Sequence, residues 1–253
     1  MGQLEGKTAI VTGAAKGLGR AVAHAYAAEG ATVVISDLDG EAARATADAI
    51  DGAHAMTCDV RDERQVAALV QETVTEHGRL DVMVANAGVG TVKPLVMMDL
   101  AEWRQVTSVN LDGVFLCVRH AAAAMVAAGG GTIVNMCSIT ALTGSPLIGH
   151  YAAAKAGVRS LTQTAAVELR EAGVRVNCIC PGFVETDLVI DQKANFEAAL
   201  DLDDFDAIIA AKQGRYGTPE EVARLAVFLA SERSRFSTGS SFVLDGGARA
   251  SLL

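Results

Sequence analysis

Tyr151 and Lys155 stand four residues apart in a stretch with helical periodicity, so both side chains project from one helix face. A phenol has a pKa of about 10 and is a poor base at neutral pH. A nearby ammonium would favour the phenolate. Bringing the phenol close to neutrality takes about 4 kcal/mol of differential stabilisation. Tyr151 could then accept the proton of an alcohol, or donate one when a ketone is reduced. Ser138 lies thirteen residues earlier, at the end of an apolar run. Its hydroxyl could hydrogen-bond a developing alkoxide. Each residue alone has a plainer explanation. A Tyr-x-x-x-Lys pair is usually a solvated helix face, and a Ser after a strand is usually a cap.

A second constellation lies near the N-terminus. Thr12-Gly13-Ala14-Ala15-Lys16-Gly17-Leu18-Gly19 follows the first apolar run and opens a helical pattern. Glycines at such a turn let the backbone approach a pyrophosphate at the helix N-terminus. Asp37 follows Gly13 by 24 residues and ends the second apolar run, with Leu38 beside it. A carboxylate there accepts hydrogen bonds from adenosine ribose hydroxyls and repels a 2′-phosphate, which favours NAD over NADP. The alternative is a solvated loop acid ahead of Asp39. Lys16 argues the other way, as a cation that could meet a 2′-phosphate. Asp37 is expected nearer the hydroxyl and carries more weight.

The elements that must hold these residues alternate along the chain. Apolar runs predict strands over Thr8–Thr12, Thr32–Ser36, Ala53–Cys58, Asp81–Ala85, Thr132–Cys137, Arg175–Ile179 and Ser241–Leu244. They lack strict alternation, as strands buried on both faces do. Helical patterns cover Gly17–Glu29, Glu41–Ile50, Glu63–Glu76, Leu100–Ala128, Tyr151–Glu171 and Pro219–Ala230, with Asp62 and Thr218 as N-caps. Repeated β-α units predict an α/β fold: a single Rossmann-type domain over residues 1–253, with a doubly wound, parallel, seven-stranded sheet between helices. Ligands of such sheets sit at the carboxyl ends of the strands, where both constellations fall.

Composition narrows the function classes. With 51% hydrophobic and 20% charged residues the chain is a core-builder, and at 4% aromatics its core is aliphatic. A net charge of −9 without a basic run argues against nucleic acid. The most apolar stretch, Ala121 to Val134, is too short to span a membrane and is broken by glycines. The N-terminus lacks a signal-peptide core. The five cysteines are scattered; Cys178-x-Cys180 hints at metal, but no His or Cys cluster completes a ligand set. They are read as reduced thiols in a cytoplasmic protein, with no metal site.

From about Leu4 to Gly247 the chain resembles the classical short-chain dehydrogenases/reductases. The resemblance rests on motifs in order: Thr12 to Gly19, Asp59-Val60, Asn86-Ala87-Gly88, then Asn110, Ser138, Tyr151 and Lys155, then Pro181-Gly182 and Thr186. It implies that Gly13, Lys16, Gly17, Leu18, Gly19, Asp37, Leu38, Asp59, Val60, Asn86, Ala87 and Gly88 contact the adenosine and pyrophosphate half of a nicotinamide cofactor. Pro181, Gly182, Val184 and Thr186 would hold the nicotinamide. Lys155 would also hold its ribose, and Asn110 would support a water relay to Lys155. Ala85, Cys137 and Ala154 depart from common family residues without removing a catalytic group.

The segment 187–213 is the expected substrate lid, an amphipathic helical cover with an apolar inner and an acidic outer side. Thr140, Leu142, Leu147, Ile148, Phe183 and Leu188 are expected to line the substrate pocket. His150 contacts substrate, lines the pocket or faces solvent. This set suits an apolar secondary alcohol or ketone, cyclic ones included. Two other readings stay open. One is an NADPH-dependent 3-oxoacyl-[acyl-carrier-protein] reductase, disfavoured by the acidic lid and the absence of a basic patch for an acidic carrier. The other is a non-catalytic NAD(H)-sensing module, which the intact Ser138, Tyr151 and Lys155 argue against. The resemblance also implies a homotetramer, built on the Leu100–Ala128 and Tyr151–Glu171 helices with a further contact at Ser241–Leu253.

Overall fold

Alternate residues of each strand leave the sheet on opposite sides, and here both sides are apolar. Ile10, Met83 and Ile133 enter one core, while Ala9, Val11, Val33, Val82, Val84 and Val134 enter the other. Such strands cannot lie at a surface, so helices must cover both faces. The computed structural model describes residues 2–250 and has this arrangement. The elements are β1 (Thr8–Thr12), α1 (Gly17–Ala28), β2 (Thr32–Asp37), α2 (Gly40–Asp48), β3 (His54–Thr57), α3 (Glu63–His77), β4 (Val82–Ala85), α4 (Leu100–Thr107), α5 (Val114–Ala127), β5 (Gly131–Met136), α6 (Gly149–Leu169), β6 (Val174–Pro181), α7 (Asp187–Ile190), α8 (Lys193–Leu200), α9 (Phe205–Gln213), α10 (Pro219–Ala230) and β7 (Ser241–Leu244).

All pairings are parallel, in the order β3-β2-β1-β4-β5-β6-β7. Buried residues of α3, α5 and α6 fill one core, and those of α1, α2 and α10 the other. The caps read from the sequence are present. Asp62 accepts from the Arg64 N–H, and Thr218 with Glu221 forms a capping box ahead of Pro219.

Several boundaries differ from the sequence reading. β6 runs to Pro181 rather than Ile179, because β7 pairs with it from Cys178 to Pro181, beyond the end of its pairing with β5. The helix expected over Leu100–Ala128 widens into a π-helical segment at Ser108–Gly113. Among the described residues, the run Leu100–Ala127, rather than Ala121–Val134, is the one long and apolar enough to cross a membrane by length and composition. Half of its most apolar window is buried, and Val114, Cys117, Val118, Ala121 and Met125 belong to the core under the sheet. The expected lid is three short helices, α7, α8 and α9. Phe196, Phe205 and Ile209 are buried in a small cluster of their own, with Phe196 stacked on Phe205 at 5.0 Å. Leu188 and Ile190, by contrast, are exposed.

Candidate active site

Because the strands are parallel, the segments leaving β1 to β6 emerge along one edge, where they line a cleft of about 430 Å³. Gly13 and Gly17 turn with φ of +63° and +56°, a region that disfavours side chains. A Cβ on Gly13 would stand 2.7 Å from Ala87 Cα. The first turn of α1 has neither a side-chain cap nor an acidic residue. Its free N–H groups and the helix dipole therefore suit an anionic group such as a pyrophosphate. Gly13, Lys16, Gly17 and Leu18 line the cleft, but Gly19 does not. A Cβ on Gly19 would lie 2.3 Å from the Gly13 carbonyl oxygen, so this glycine lets α1 close against the turn.

Asp37 is held at the rim. Its Oδ2 accepts from the Ala15 N–H at 3.0 Å and its Oδ1 from the Asp39 N–H at 3.1 Å. Lys16 Nζ pairs with Asp187 Oδ2 at 3.2 Å, joining the glycine turn to the start of α7. Leu38, Asp59 and Val60 also line the cleft. Arg61 lines it too and was not expected. Its guanidinium grips Asp59, at 2.6 Å from Nη2 to Oδ2, and holds that carboxyl below the usual carboxylate range. In the sequence an Asp and an Arg two residues apart on a turn give no sign that they face a cleft.

The loop after β4 is tied to the glycine turn. The Asn86 and Ala87 N–H groups donate to Thr12 Oγ1 at 3.1 and 3.2 Å, and Asn86 Nδ2 donates to the Thr12 and Gly13 carbonyl oxygens. Asn86, Ala87 and Gly88 all line the cleft. Asn110, fully buried in the π-helical segment, lies outside that lining. Its carboxamide binds the backbone of Val89, which does line the cleft.

Ser138, Tyr151 and Lys155 converge from β5 and α6. Ser138 Oγ accepts from the Thr140 N–H at 3.2 Å. Burial pushes the Tyr151 phenol up to about 12, against the pull of a hydrogen bond with the Ser138 hydroxyl. Lys155 is almost fully buried; its Nζ donates to the Met136 carbonyl oxygen at 2.8 Å and sits 5.5 Å from the Tyr151 ring centroid. The ammonium thus faces the ring and a β5 carbonyl, and in the protein alone burial outweighs any help it gives the phenolate. Burial likewise lowers the Lys155 pKa. Pro181, Gly182, Val184 and Thr186 complete the far wall.

A smaller cavity of about 100 Å³ adjoins the cleft, and Ser138, Tyr151, Gly182, Leu188 and Val189 line both. Of the expected substrate residues, Thr140, Ile148, Phe183 and Leu188 line this cavity. Leu142, Leu147 and His150 do not. Leu142 packs on the core under the sheet. Leu147 takes a left-handed conformation with φ of +68° and packs with the lid cluster. His150 is fully buried, with Nε2 on Thr91 Oγ1 and Nδ1 accepting from the Tyr151 N–H, both at 2.8 Å. Burial holds its pKa below the ordinary imidazole range. Gly90, Thr91, Val92, Gln192 and Phe196 also form the cavity wall. Their types carry no chemical signal, and only folding brings them to Tyr151.

The sequence matches the family model described as enoyl-(acyl carrier protein) reductase over residues 13–249. It is 45% identical over 247 residues to cis-4-hydroxycyclohexanecarboxylate dehydrogenase of Sinomonas cyclohexanicum, covering 95% of this chain and 96% of that one. It is 40% identical over 253 residues to 3-alpha-(or 20-beta)-hydroxysteroid dehydrogenase of Mycobacterium bovis, covering 99% and 92%. The crystal structure of levodione reductase superposes with a TM-score of 0.93 at 33% identity, covering 98% of this chain and 99% of that one. The chain belongs to the short-chain dehydrogenase/reductase family, oxidoreductases that act on CH–OH groups with a nicotinamide cofactor.

Proposed function

We propose that the protein is an NAD(H)-dependent oxidoreductase that interconverts an apolar, cyclic secondary alcohol and its ketone. One observation carries this reading: Ser138 and Tyr151 stand in the wall common to the large cleft and the small apolar cavity. A carbinol carbon in the small cavity would face both hydroxyls and the cleft. The bound nicotinamide supplies or removes the hydride. Tyr151 Oη takes the alcohol proton in oxidation and returns it in reduction. Ser138 Oγ hydrogen-bonds the substrate oxygen. Lys155 supplies positive charge beneath the phenol. Asn110 acts as a positioning residue through Val89. Residues 187–213 serve as the lid.

Asp37 supports NAD over NADP. Its carboxylate is fixed by two backbone N–H groups at the end of β2, and Lys16 is engaged by Asp187. Arg61 is neutralised by Asp59. The glycine turn would carry the pyrophosphate.

The substrate class rests on the cavity wall, and on likeness to dehydrogenases of a hydroxycyclohexane carboxylate and of hydroxysteroids. The cavity of about 100 Å³ is continuous with the cleft through Ser138, Tyr151 and Gly182, so a single ring would occupy the two together. Its wall carries Thr91, Thr140 and Gln192 but neither Lys nor Arg, so a neutral ring suits it better than one bearing a carboxylate. The description of the family model keeps a carrier-linked reductase as the second reading. Against it stands the acidic lid, with Asp187, Asp191, Asp201, Asp203 and Asp204.

A homotetramer built on α4, α5 and α6 belongs to the same proposal. Phe115 and Val167 on these helices, and Leu95, Val96 and Met97 ahead of α4, are exposed apolar side chains. The further contact expected at Ser241–Leu253 ends in residues 251–253, outside the described residues. The five free thiols accord with a reducing cytoplasm.

Reduced-nicotinamide absorbance tests the reading, with NAD(H) and NADP(H) run in parallel. The panel is neutral cyclic alcohols, a hydroxycyclohexane carboxylate, a hydroxysteroid and a 3-oxoacyl thioester. NAD-linked turnover of neutral rings is expected. NADPH-linked reduction of the thioester alone would move the protein to carrier-linked synthesis.

A further inference from the structure

Three cysteines that the proposed reaction does not use meet beneath the floor of the cleft. Cys178 and Cys180 lie two residues apart in β6, on one side of the sheet. Cys137 precedes them by 41 residues or more. It joins them because its N–H donates to the Ile179 carbonyl oxygen at 2.8 Å, prolonging the β5–β6 pairing. All three are buried, and their Sγ atoms lie within 4.8 Å of one another. Contrary to the sequence reading, a cysteine cluster does form, because the β5–β6 pairing brings Cys137 across the sheet to Cys178 and Cys180. A metal–sulfur bond of about 2.3 Å sets the sulfurs of a planar trigonal site about 4 Å apart. Thiolates select soft, thiophilic metals over Mg and Ca.

Charge also suits such a site. Three thiolates on a divalent ion leave one negative charge, and Lys155 lies within electrostatic reach of all three sulfurs. Cys137 is part of the cleft lining, so an ion can reach the site from the cleft.

We propose that Cys137, Cys178 and Cys180 form a trigonal site for one thiophilic divalent metal ion, and that filling it stops turnover. Binding exchanges three S–H bonds for three metal–sulfur bonds and releases the protons to solvent, with no change in oxidation state. Cys137 is joined directly to Ser138, and its thiol donates to the Lys155 carbonyl oxygen at 3.2 Å. Metallation removes that hydrogen bond and pulls on both catalytic side chains. The inhibitory half rests on the function proposed above; the binding half does not.

The probe is cadmium chloride, titrated into the metal-free full-length protein while thiolate-to-cadmium charge-transfer absorbance and proton release are followed. The expected result is one ion per chain, with about three protons released. The ultraviolet band and a rise in Tm should be lost in Cys178→Ala and in the size-conserving Cys178→Ser, yet persist in Cys117→Ala. Circular dichroism establishes that each variant folds. Absence of the band, its persistence in both Cys178 variants, or its loss in Cys117→Ala would overturn the site. Full NAD-linked turnover with one ion bound would overturn the inhibitory half alone. A protein inactive on every alcohol should still show the band, so failure of the proposed reaction and failure of the metal site are told apart.

Discussion

The carboxamide of Asn110 closes both of its hydrogen bonds on one residue, Val89: Oδ1 accepts from the Val89 N–H and Nδ2 donates to the Val89 carbonyl oxygen, each at 2.8 Å. The contact spans 21 residues and fastens the π-helical segment between α4 and α5 to the loop after β4. A π-helical turn is a common sign of a functional site. Here it presents Asn110 to the loop whose Gly88 and Val89 line the cleft.

Asn110→Ala deletes both bonds. At roughly 0.5–1.5 kcal/mol each, the loss should lower stability by about 1–3 kcal/mol. With the loop released, the KM for the cofactor should rise more than kcat falls. A water relay through Asn110 predicts the reverse: kcat falls with KM little changed. Chemical denaturation and initial rates with varied cofactor separate the two.

The proton held by Tyr151 sets the direction of the pH profile. Burial raises this phenol to about 12 in the protein alone, so its neutral form dominates across the physiological range. Oxidation needs the phenolate, so its rate should climb with pH through the alkaline range. Reduction needs the phenol and should decline where the holoenzyme's phenol ionises. Tyr151→Phe should cost at least about 10²–10⁴-fold in both directions. Cofactor affinity, read by quenching of Trp103 fluorescence, should change little. An unchanged pH profile in Tyr151→Phe would remove this residue from the chemistry.

Asp37 and Lys16 make opposite predictions for cofactor choice. Asp37→Ala should reduce kcat/KM with NAD by about 10- to 100-fold, the worth of a charge-assisted hydrogen bond of roughly 1.5–3 kcal/mol. Use of NADP should improve relative to NAD. Lys16→Ala should change the ratio little, because Lys16 is engaged by Asp187. A wild-type protein that already prefers NADP would reverse the weight given to these two residues.

Much of this protein was legible in order along the chain. Apolar runs buried on two sides could only be interior parallel strands, and the units between them could only be crossover helices. The glycine turn, Asp37, Ser138 and the Tyr151–Lys155 spacing follow from local rules: left-handed backbone at Gly13 and Gly17, and one helix face shared at four-residue intervals. What only the tertiary structure decided lies between segments far apart in sequence. Lys155 donates to Met136 across 19 residues, Asn110 holds Val89, His150 is buried behind the cavity wall on Thr91, and Cys137 comes to rest against Cys178 and Cys180. Local periodicity tells which side chains share a face. It does not tell which strand register or loop path faces them, because that is set by the packing of the whole sheet and its two helical layers.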